Sequence, residues 1–228
     1  MPRIRVSIVS RAGTEEAEIA IENLVVAGWT GRDKAAMEKH IRELEELGVK
    51  RPARTPIYYR VAADRLTQAG TIQVCGGDTS GEVEFVLASH QGRMLVGIGS
   101  DHTDRKLETV SVTLSKQVCE KPIGRTFWPV DEVLGHWDDL VLRAWIVTAG
   151  KRELYQEGRL SGMLPVSELL AGHDGGTALA DGTAMLGGTF AAIGGIRPAD
   201  RFEGELEDPV LGRRIAFGYD VVTLPVHG

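Results

Sequence analysis

Three carboxylates within residues 81–105, GEVEFVLASHQGRMLVGIGSDHTDR, have the type and spacing of ligands for a divalent cation. Glu82 and Glu84 are two residues apart in a strand-like run, so alternation along the strand places both side chains on one face. Asp101 ends the next apolar run and completes a set of three hard oxygen donors, which suit Mg²⁺, Mn²⁺ or Ca²⁺ better than Zn²⁺. The alternative interpretation is a solvated strand face that holds no ion.

The register of the expected hairpin decides whether these carboxylates meet. A turn of two or four residues places Glu84 opposite Gly97, Glu82 opposite Gly99, and Asp101 on the same face. Glycine opposite each glutamate would leave open the space that an ion and its substrate require. The sequence therefore predicts a metal site formed by Glu82, Glu84 and Asp101.

A second alternating row of glutamates occurs in RFEGELED, at Glu203, Glu205 and Glu207. No further acidic residue follows this row on a glycine-containing partner strand. We interpret it as a solvent-exposed strand edge and not as a metal site.

Composition excludes several classes of function. The 228 residues carry a formal net charge of −6, so no basic surface is available for nucleic acid or for an anionic membrane. No apolar run approaches the roughly 20 residues that span a bilayer. The start MPRIRVSIVSR lacks the apolar core of a signal peptide, and only two cysteines occur, so we expect a cytoplasmic protein.

One segment, WTGRDKAAMEKHIRELEELGV, has helical periodicity. Its apolar positions recur at helical spacing: Met37, Ile41, Leu44 and Leu47. Thr30 with Asp33 resembles a capping box, and Gly48 is expected to end the helix. The other apolar runs are short, β-rich and separated by turn residues, beginning with strands over 3–9 and 18–27. We therefore expect a mainly β (α+β) chain with one principal helix.

The order of these motifs resembles the C-terminal domain of the fumarylacetoacetate hydrolase family over roughly residues 28–225. In that family a Glu-x-Glu strand precedes a strand that ends in an Asp-x-Ser/Thr-x-Arg turn, which DHTDR matches here. The resemblance implies a mixed β-sandwich roll with a short N-terminal lid helix. It also implies that Asp101 is the third metal ligand and that Arg105 is the family arginine, a substrate-binding residue.

Further motifs extend the resemblance to other site residues. The segment LSKQVCEKPIGRTFWPV is similar to the one that carries the active-site lysine, which would be Lys116. LYQEG resembles the hairpin whose glutamine faces the substrate, here Gln156. GGTFAAIGG resembles the Gly-Thr-Pro turn, with Thr189 at the threonine. TPIYYRV lies where the family has a substrate-binding lysine, so Arg60 would supply that cation.

The resemblance also reaches the helix, where KHIREL is similar to the His-x-x-Glu lid segment of the family. The resemblance implies that His40 and Glu43 are the catalytic pair, and a spacing of three places them on adjacent turns of one helix face, within reach of hydrogen bonding. The alternative for His40 is a boundary position beside the apolar stripe.

This chain departs from the family pattern at several positions. Only 16 residues separate Glu84 from Asp101, so a loop that family members usually have between them is missing. Ser100 replaces the usual asparagine before the metal ligand, and Phe190 stands where the turn has proline. His102 is an additional imidazole, for which we expect a structural role.

These observations predict a single domain over 1–228, with N-terminal strands and the lid helix in 1–60 and a β-roll core in 61–228. We expect a hydrolase or lyase, dependent on Mg²⁺ or Mn²⁺ with Ca²⁺ as a further candidate. It would cleave a C–C bond in a 2-oxo or acylpyruvate-type acid through a metal-stabilised enolate. Its partners would be a small carboxylate substrate and a second copy in a homodimer. The alternatives are a 2-oxo-3-deoxy sugar-acid dehydratase, an enol-keto isomerase, or a non-catalytic relative that binds a metal or ligand.

Overall fold

The computed structural model describes residues 1–46 and 51–227, apart from the side chains of His40, Glu43 and Leu44. The strands of these residues are β1 (Arg3–Ser10), β2 (Gly13–Ala20), β3 (Asn23–Gly28), β4 (Ile57–Val61), β5 (Leu66–Thr67), β6 (Thr71–Cys75), β7 (Thr79–Ser80), β8 (Val83–His90), β9 (Arg93–Ser100), β10 (Thr103–Asp104), β11 (Lys121–Pro122), β12 (Thr126–Pro129), β13 (Val141–Thr148), β14 (Lys151–Arg159), β15 (Thr183–Leu186), β16 (Arg201–Asp208) and β17 (Arg213–Leu224). The helices are α1 (Lys34–Glu46), α2 (Arg105–Glu108), α3 (Val112–Gln117), α4 (Val130–Val133) and α5 (Val166–Asp174).

Two mixed sheets contain most of these strands. The eight-stranded sheet has the order β2-β1-β12-β9-β8-β15-β3-β4, and the five-stranded sheet has the order β14-β13-β16-β17-β6. Parallel pairs such as β1 with β12 and β17 with β6 occur beside antiparallel hairpins. The predicted mainly β (α+β) fold class is confirmed. The N-terminal strands β1–β4 belong to the same sheet as β8 and β9, and the proposed division at residue 60 stays a prediction.

Strand β8 is buried on both faces, and this determines the environment of its glutamate. Phe85 and Leu87 belong to an apolar cluster that also contains residues of the five-stranded sheet, such as Phe202. Val86 and Ala88 belong to a second cluster on the other face. A carboxylate on this strand therefore has little access to bulk water and must find its partners inside the protein.

The hairpin of β8 and β9 has a different register from the predicted one. Its two-residue turn consists of Gln91 and Gly92, both with positive φ, as in the type I′ turns that match the twist of paired strands. Glu84 consequently lies opposite Gly99, and not opposite Gly97. The shift is two residues, so the glutamate keeps the predicted face.

Two predicted element boundaries are corrected. The side chain of Asp33, and not that of Thr30, caps α1, because its Oδ1 accepts hydrogen bonds from the N–H groups of Ala35 and Ala36 at 2.9 and 3.0 Å. The expected strand over 18–27 is divided between β2 and β3. The predicted helix end at Gly48 lies outside the described residues.

None of the helices in the described part of the chain is both long and apolar enough to cross a bilayer.

Candidate metal centre and active site

The structure brings together the three carboxylates that the sequence predicts as metal ligands. Glu82, Glu84 and Asp101 each present an oxygen, and these oxygens lie within 4.8 Å of one another. Glu82 immediately precedes β8 and Asp101 immediately follows β9, and the N–H of Asp101 donates to the carbonyl oxygen of Glu82 at 3.0 Å. The side chains of Glu84 and Asp101 are buried, with exposed fractions of 2% and 0% for the residues.

The role that we predicted for the facing glycines is wrong. A Cβ at Gly99 would lie 2.8 Å from the side chain of Ile123, and one at Gly97 would lie 2.7 Å from the ring of Phe127. These glycines thus admit apolar side chains of the protein and leave no space for an ion. Gly188 serves the site instead, because its N–H donates to Oε2 of Glu84 at 2.7 Å.

The electrostatics of the cluster favour a cation. Burial raises the pKa of Glu84 well above its usual range, and the neighbouring charges of Asp101 and Glu82 raise it further. Oδ1 of Asp101 is buried, and Nζ of Lys121 lies 3.1 Å from it. Three converging carboxylate oxygens, two of them on buried residues, fit a hard divalent ion such as Mg²⁺, Mn²⁺ or Ca²⁺.

Two lysines contact Asp101 from opposite sides. Nζ of Lys116 contacts Oδ2 of Asp101 and lies 3.5 Å from Oε2 of Glu82. Nζ of Lys121 lies 3.1 Å from Oδ1 and donates to the carbonyl oxygen of His102 at 2.6 Å. Burial raises the pKa of Asp101, but the two ammonium groups lower it to about 2 overall. The sequence reasoning assigned Lys116 alone and missed Lys121, although both lysines belong to the same motif.

Arg105 holds the outer glutamate of the cluster. Its Nη2 lies 3.0 Å from Oε1 of Glu82, its Nη1 lies 2.9 Å from Oε2 of Glu108, and its Nε donates to Oγ of Ser80 at 2.7 Å. The predicted family arginine therefore lies beside the carboxylate cluster. Its Nη2 is buried and makes no hydrogen bond, so the observed contacts of Arg105 position Glu82, and its contact with substrate stays a prediction.

Gln156 of β14 and Thr189, which follows β15, are hydrogen-bonded to each other and to the backbone of Val83 at the start of β8. Oε1 of Gln156 accepts from the N–H of Val83 at 2.9 Å, and its Nε2 donates to Oγ1 of Thr189 at 2.8 Å. Oγ1 of Thr189 donates to the carbonyl oxygen of Val83 at 2.7 Å. Both residues line the same cavity as Glu82 and Glu84, and their contact with substrate stays a prediction.

The prediction for Arg60 is wrong. Its side chain is exposed, and its Nη2 donates to the carbonyl oxygen of Glu22 at 3.2 Å and contacts Oδ1 of Asn23. Alternation along β4 directs the neighbouring Tyr59 to the cavity and Arg60 away from it. The side chains of His40 and Glu43 lie outside the described residues, so the catalytic pair stays a prediction.

A buried chain of hydrogen bonds supports the cluster from the side of His102. Nε2 of His102 lies 2.9 Å from Oγ1 of Thr79, and Nδ1 lies 3.0 Å from the hydroxyl of Tyr219. That hydroxyl donates to Oγ of Ser100 at 2.9 Å, and the same Oγ accepts from the N–H of Glu82 at 3.1 Å. Burial, together with nearby cations, lowers the pKa of His102 to about 3. His102 thus contacts Thr79 and Tyr219 and none of the three carboxylates through its ring nitrogens, and its role stays a prediction.

The cluster opens into a cavity of about 780 Å³. Asp33, which caps α1, and Ala36 and Met37 within the helix belong to its lining. Much of the remaining lining is apolar: Trp29, Val112, Met163, Phe190, Ala192 and Ile196. The cavity therefore combines a charged region with an extended apolar wall, an arrangement typical of small-molecule sites.

The ring of Phe190, which is part of this apolar wall, packs against two glycines. A Cβ at Gly158 would lie 2.6 Å from the Phe190 ring, and a Cβ at Gly162 would lie 3.2 Å from it. The ring thus occupies space that side chains at these two positions would otherwise fill.

A family model described as "Protein of unknown function (DUF2848)" matches residues 27–219. No curated protein sequence gives a significant match to the chain. Solved structures of the same fold do match. Yeast ynq8, a fumarylacetoacetate hydrolase family protein, has 18% identity and a TM-score of 0.63, over 91% of this chain and 95% of that protein.

Two enzymes share this fold. A 2-keto-3-deoxy-D-arabinonate dehydratase complexed with magnesium and 2,5-dioxopentanoate has 18% identity and a TM-score of 0.63, over 91% of this chain and 75% of that one. A 4-oxalocrotonate decarboxylase from Pseudomonas putida G7, complexed with calcium and acetate, has 16% identity and a TM-score of 0.53, over 89% of this chain and 79% of that one. The likeness to the fumarylacetoacetate hydrolase family is confirmed for the fold.

Proposed function

Since the chain belongs to the DUF2848 family of proteins of unknown function, we propose its function from the site itself: a divalent-metal-dependent enzyme that cleaves a C–C bond in a 2-oxo or acylpyruvate-type acid. The observation that carries this proposal is the convergence of Glu82, Glu84 and Asp101 within 4.8 Å at a cavity of about 780 Å³. A buried cluster of this kind is costly unless a cation neutralises it.

Glu82, Glu84 and Asp101 would hold the ion, with Mg²⁺ or Mn²⁺ as the first candidates and Ca²⁺ as a further one. The bound ion would supply Lewis acidity to the substrate's oxygens and would offset the charge of the ligands. Two structures of the same fold were solved with magnesium and 2,5-dioxopentanoate and with calcium and acetate, respectively. These ligands support the choice of a hard cation and of a small acid for this chain.

The charges around the cluster favour an anionic substrate. Four carboxylates lie close together: Glu82, Glu84, Asp101 and Glu108. Three cations face them: Arg105, Lys116 and Lys121. A divalent ion would change the formal balance from one negative to one positive charge, which attracts a carboxylate. Lys121 and Arg105 thereby supply positive charge near the cluster, which the sequence analysis assigned to Arg60.

The residues of the chain would divide the chemical work. Lys116 lines the cavity and would stabilise negative charge that develops on the substrate's keto oxygen. His40, which belongs to α1, would be the acid–base group. As a neutral imidazole it would accept or deliver the proton, and Glu43 would orient it. Gln156 and Thr189 would fix the cavity wall next to the reacting carbon.

The apolar wall supports a substrate with an apolar substituent beyond the keto acid. Trp29, Met163, Phe190 and Ile196 line the same cavity as Glu84. An alkyl or aryl group placed there would gain about 25 cal/mol for each Å² of apolar surface that it removes from water. We therefore favour acylpyruvates with apolar acyl groups within the broader class.

A substrate screen tests the proposal. Small 2-oxo acids and acylpyruvates with acyl groups of increasing length are incubated with the protein, with and without Mn²⁺, and products are identified by mass spectrometry. Metal-dependent cleavage that Glu84→Gln abolishes is the expected result, with Glu205→Gln as the matched control. Turnover without any metal, or none on the whole panel, would contradict it. Loss of water or a shifted double bond as the product would instead identify a dehydratase or an isomerase.

We also propose that the protein is a homodimer. Within residues 1–46 and 51–227, the two large sheets end in β2 and β4 and in β14 and β6, respectively, and such edge strands are commonly covered by a second chain. Light scattering should return about twice the chain mass of 24.7 kDa at micromolar concentration. A mass near that of one chain would contradict the proposal.

A further inference from the structure

The ammonium group of Lys116 lies inside the carboxylate cluster and not beside it. Its Nζ contacts Oδ2 of Asp101 and lies 3.5 Å from Oε2 of Glu82. These are two of the three residues whose oxygens lie within 4.8 Å of one another. Lys116 thus supplies a positive charge at the place where those oxygens converge.

Lys121, the second lysine of this region, is held differently. Its Nζ donates to the carbonyl oxygens of His102 and Cys119, at 2.6 and 3.1 Å, as well as lying near Asp101. Two main-chain acceptors fix that ammonium group in place. Within the described residues, the hydrogen bonds and ion pairs of Lys116 go only to carboxylates of the cluster.

Lys116 lies between the carboxylate cluster and the cavity. It belongs to the last turn of the short helix α3, and its Nζ lies 5.8 Å from the centroid of the Tyr59 ring. Both residues also line the large cavity. A lysine side chain has a flexible stem of four carbons, so a change of rotamer can carry its charge from the cluster to the cavity.

We propose that Lys116 is a tethered cation that competes with the divalent ion for Glu82 and Asp101. Entry of the ion displaces the ammonium group toward the cavity, where it meets the substrate's negative charge. The exchange couples metal loading to completion of the substrate site. This inference rests on the proposed metal-dependent function and adds a regulatory property to the same site.

Direct measurement of metal affinity tests the competition without reference to turnover. Mn²⁺ binding is measured by electron paramagnetic resonance of the free ion, at one pH and ionic strength, for wild type, Lys116→Met and Lys116→Gln. Lys106→Met is the matched control, because Lys106 is exposed on the neighbouring helix α2 and does not line the cavity. Removing a positive charge a few ångströms from the ion should tighten binding by roughly tenfold or more in both Lys116 variants, and the control should be unchanged.

Thermal unfolding provides a second readout for the same proteins. Without metal, both Lys116 variants should melt at lower temperature than wild type, because their carboxylates lack the internal cation. Saturating Mn²⁺ should then raise their melting temperature by more than it raises that of wild type. A variant that does not fold alone is purified with Mn²⁺, and its affinity is measured by competition with a chelator.

The outcomes separate this inference from the proposed function. Tighter binding in both variants supports the competition, and so does binding that appears only when Lys116 is replaced. Equal or weaker binding in the variants overturns the competition while leaving a metal-dependent enzyme intact. Failure of all four proteins to bind Mn²⁺ overturns both the inference and the proposed function.

Discussion

Two rows of alternating glutamates in this chain have the same local sequence pattern and different environments in the structure. Glu82 and Glu84, at the start of β8, converge with Asp101 in a buried cluster. Glu203, Glu205 and Glu207 alternate along β16, and they face arginines on the surface of the five-stranded sheet. The pattern is therefore insufficient to define a site, and the elements that face each row decide its chemistry.

Our interpretation of the glutamates on β16 as a strand edge is wrong. β16 lies between β13 and β17 and is paired along both sides. Arg152 lies 2.8 Å from Glu203, and Arg214 lies 3.5 Å from Glu205. Guanidinium groups on long side chains can neutralise this row while water reaches them, so no carboxylate there needs an ion.

The largest expected effect is on Mn²⁺ affinity, when the buried Glu84 is replaced. Glu84→Gln removes a buried carboxylate of the cluster. It should weaken Mn²⁺ binding by roughly 10²-fold or more and abolish any metal-dependent turnover. Glu205→Gln removes a carboxylate from the same pattern on β16 and should change neither. Titration calorimetry with Mn²⁺ measures both variants, and equal affinities in the two would show that the rows are equivalent.

The next effect distinguishes ion binding from proton transfer. His40→Ala should leave Mn²⁺ affinity nearly intact while turnover falls by roughly 10²–10⁴, the usual contribution of a positioned acid–base group. The measurement is steady-state kinetics corrected for folded fraction and metal content. An unchanged turnover number would instead identify His40 as a boundary residue, whose truncation costs only about 1 kcal/mol of stability.

A smaller effect tests the hydrogen bonds behind the cluster. Tyr219→Phe removes the hydroxyl that joins His102 to Ser100, and through Ser100 the N–H of Glu82. Groups that orient metal ligands typically contribute 10- to 100-fold in affinity, so Mn²⁺ binding should weaken by about tenfold. Tyr58→Phe is the control, because it removes a hydroxyl that donates to the carbonyl oxygen of Leu169. If both variants keep full affinity, the chain of hydrogen bonds only stabilises the fold.

The smallest expected effect concerns the row on β16. Glu203→Gln weakens ion pairs with Arg152 and Arg201, whose side chains are 51% and 38% exposed. Exposed pairs contribute little because water and salt screen them, so the free energy of unfolding should change by less than about 1 kcal/mol. Urea denaturation measures the change. A loss several times larger would mean that this row, like the one on β8, depends on buried charge.

Much of the fold and of the cluster was predictable because the evidence for them is local. Alternation and the expected hairpin placed Glu82, Glu84 and Asp101 on one face, and the structure brings their oxygens together. The exact register was not predictable from alternation, since a shift of two residues keeps every face. It depended on the positive φ of Gln91.

The errors concern contacts between residues that are distant in sequence. Gly97 and Gly99 make room for Phe127 and Ile123, which approach from a later segment of the chain. Arg60 was assigned by position in a motif, and a change of one residue in a strand reverses the face of a side chain. Such partners are set by how sheets and loops pack, which a motif does not encode.

The contact of Phe190 with Gly158 and Gly162 has an evolutionary consequence. A Cβ at either glycine would approach the ring to 2.6 or 3.2 Å, so the large residue at 190 and the absent side chains at 158 and 162 depend on one another. Substitutions at the three positions should therefore covary among natural homologues. Lineages with a small residue or proline at 190 are free to acquire side chains at 158 and 162, whereas lineages that keep phenylalanine should retain both glycines.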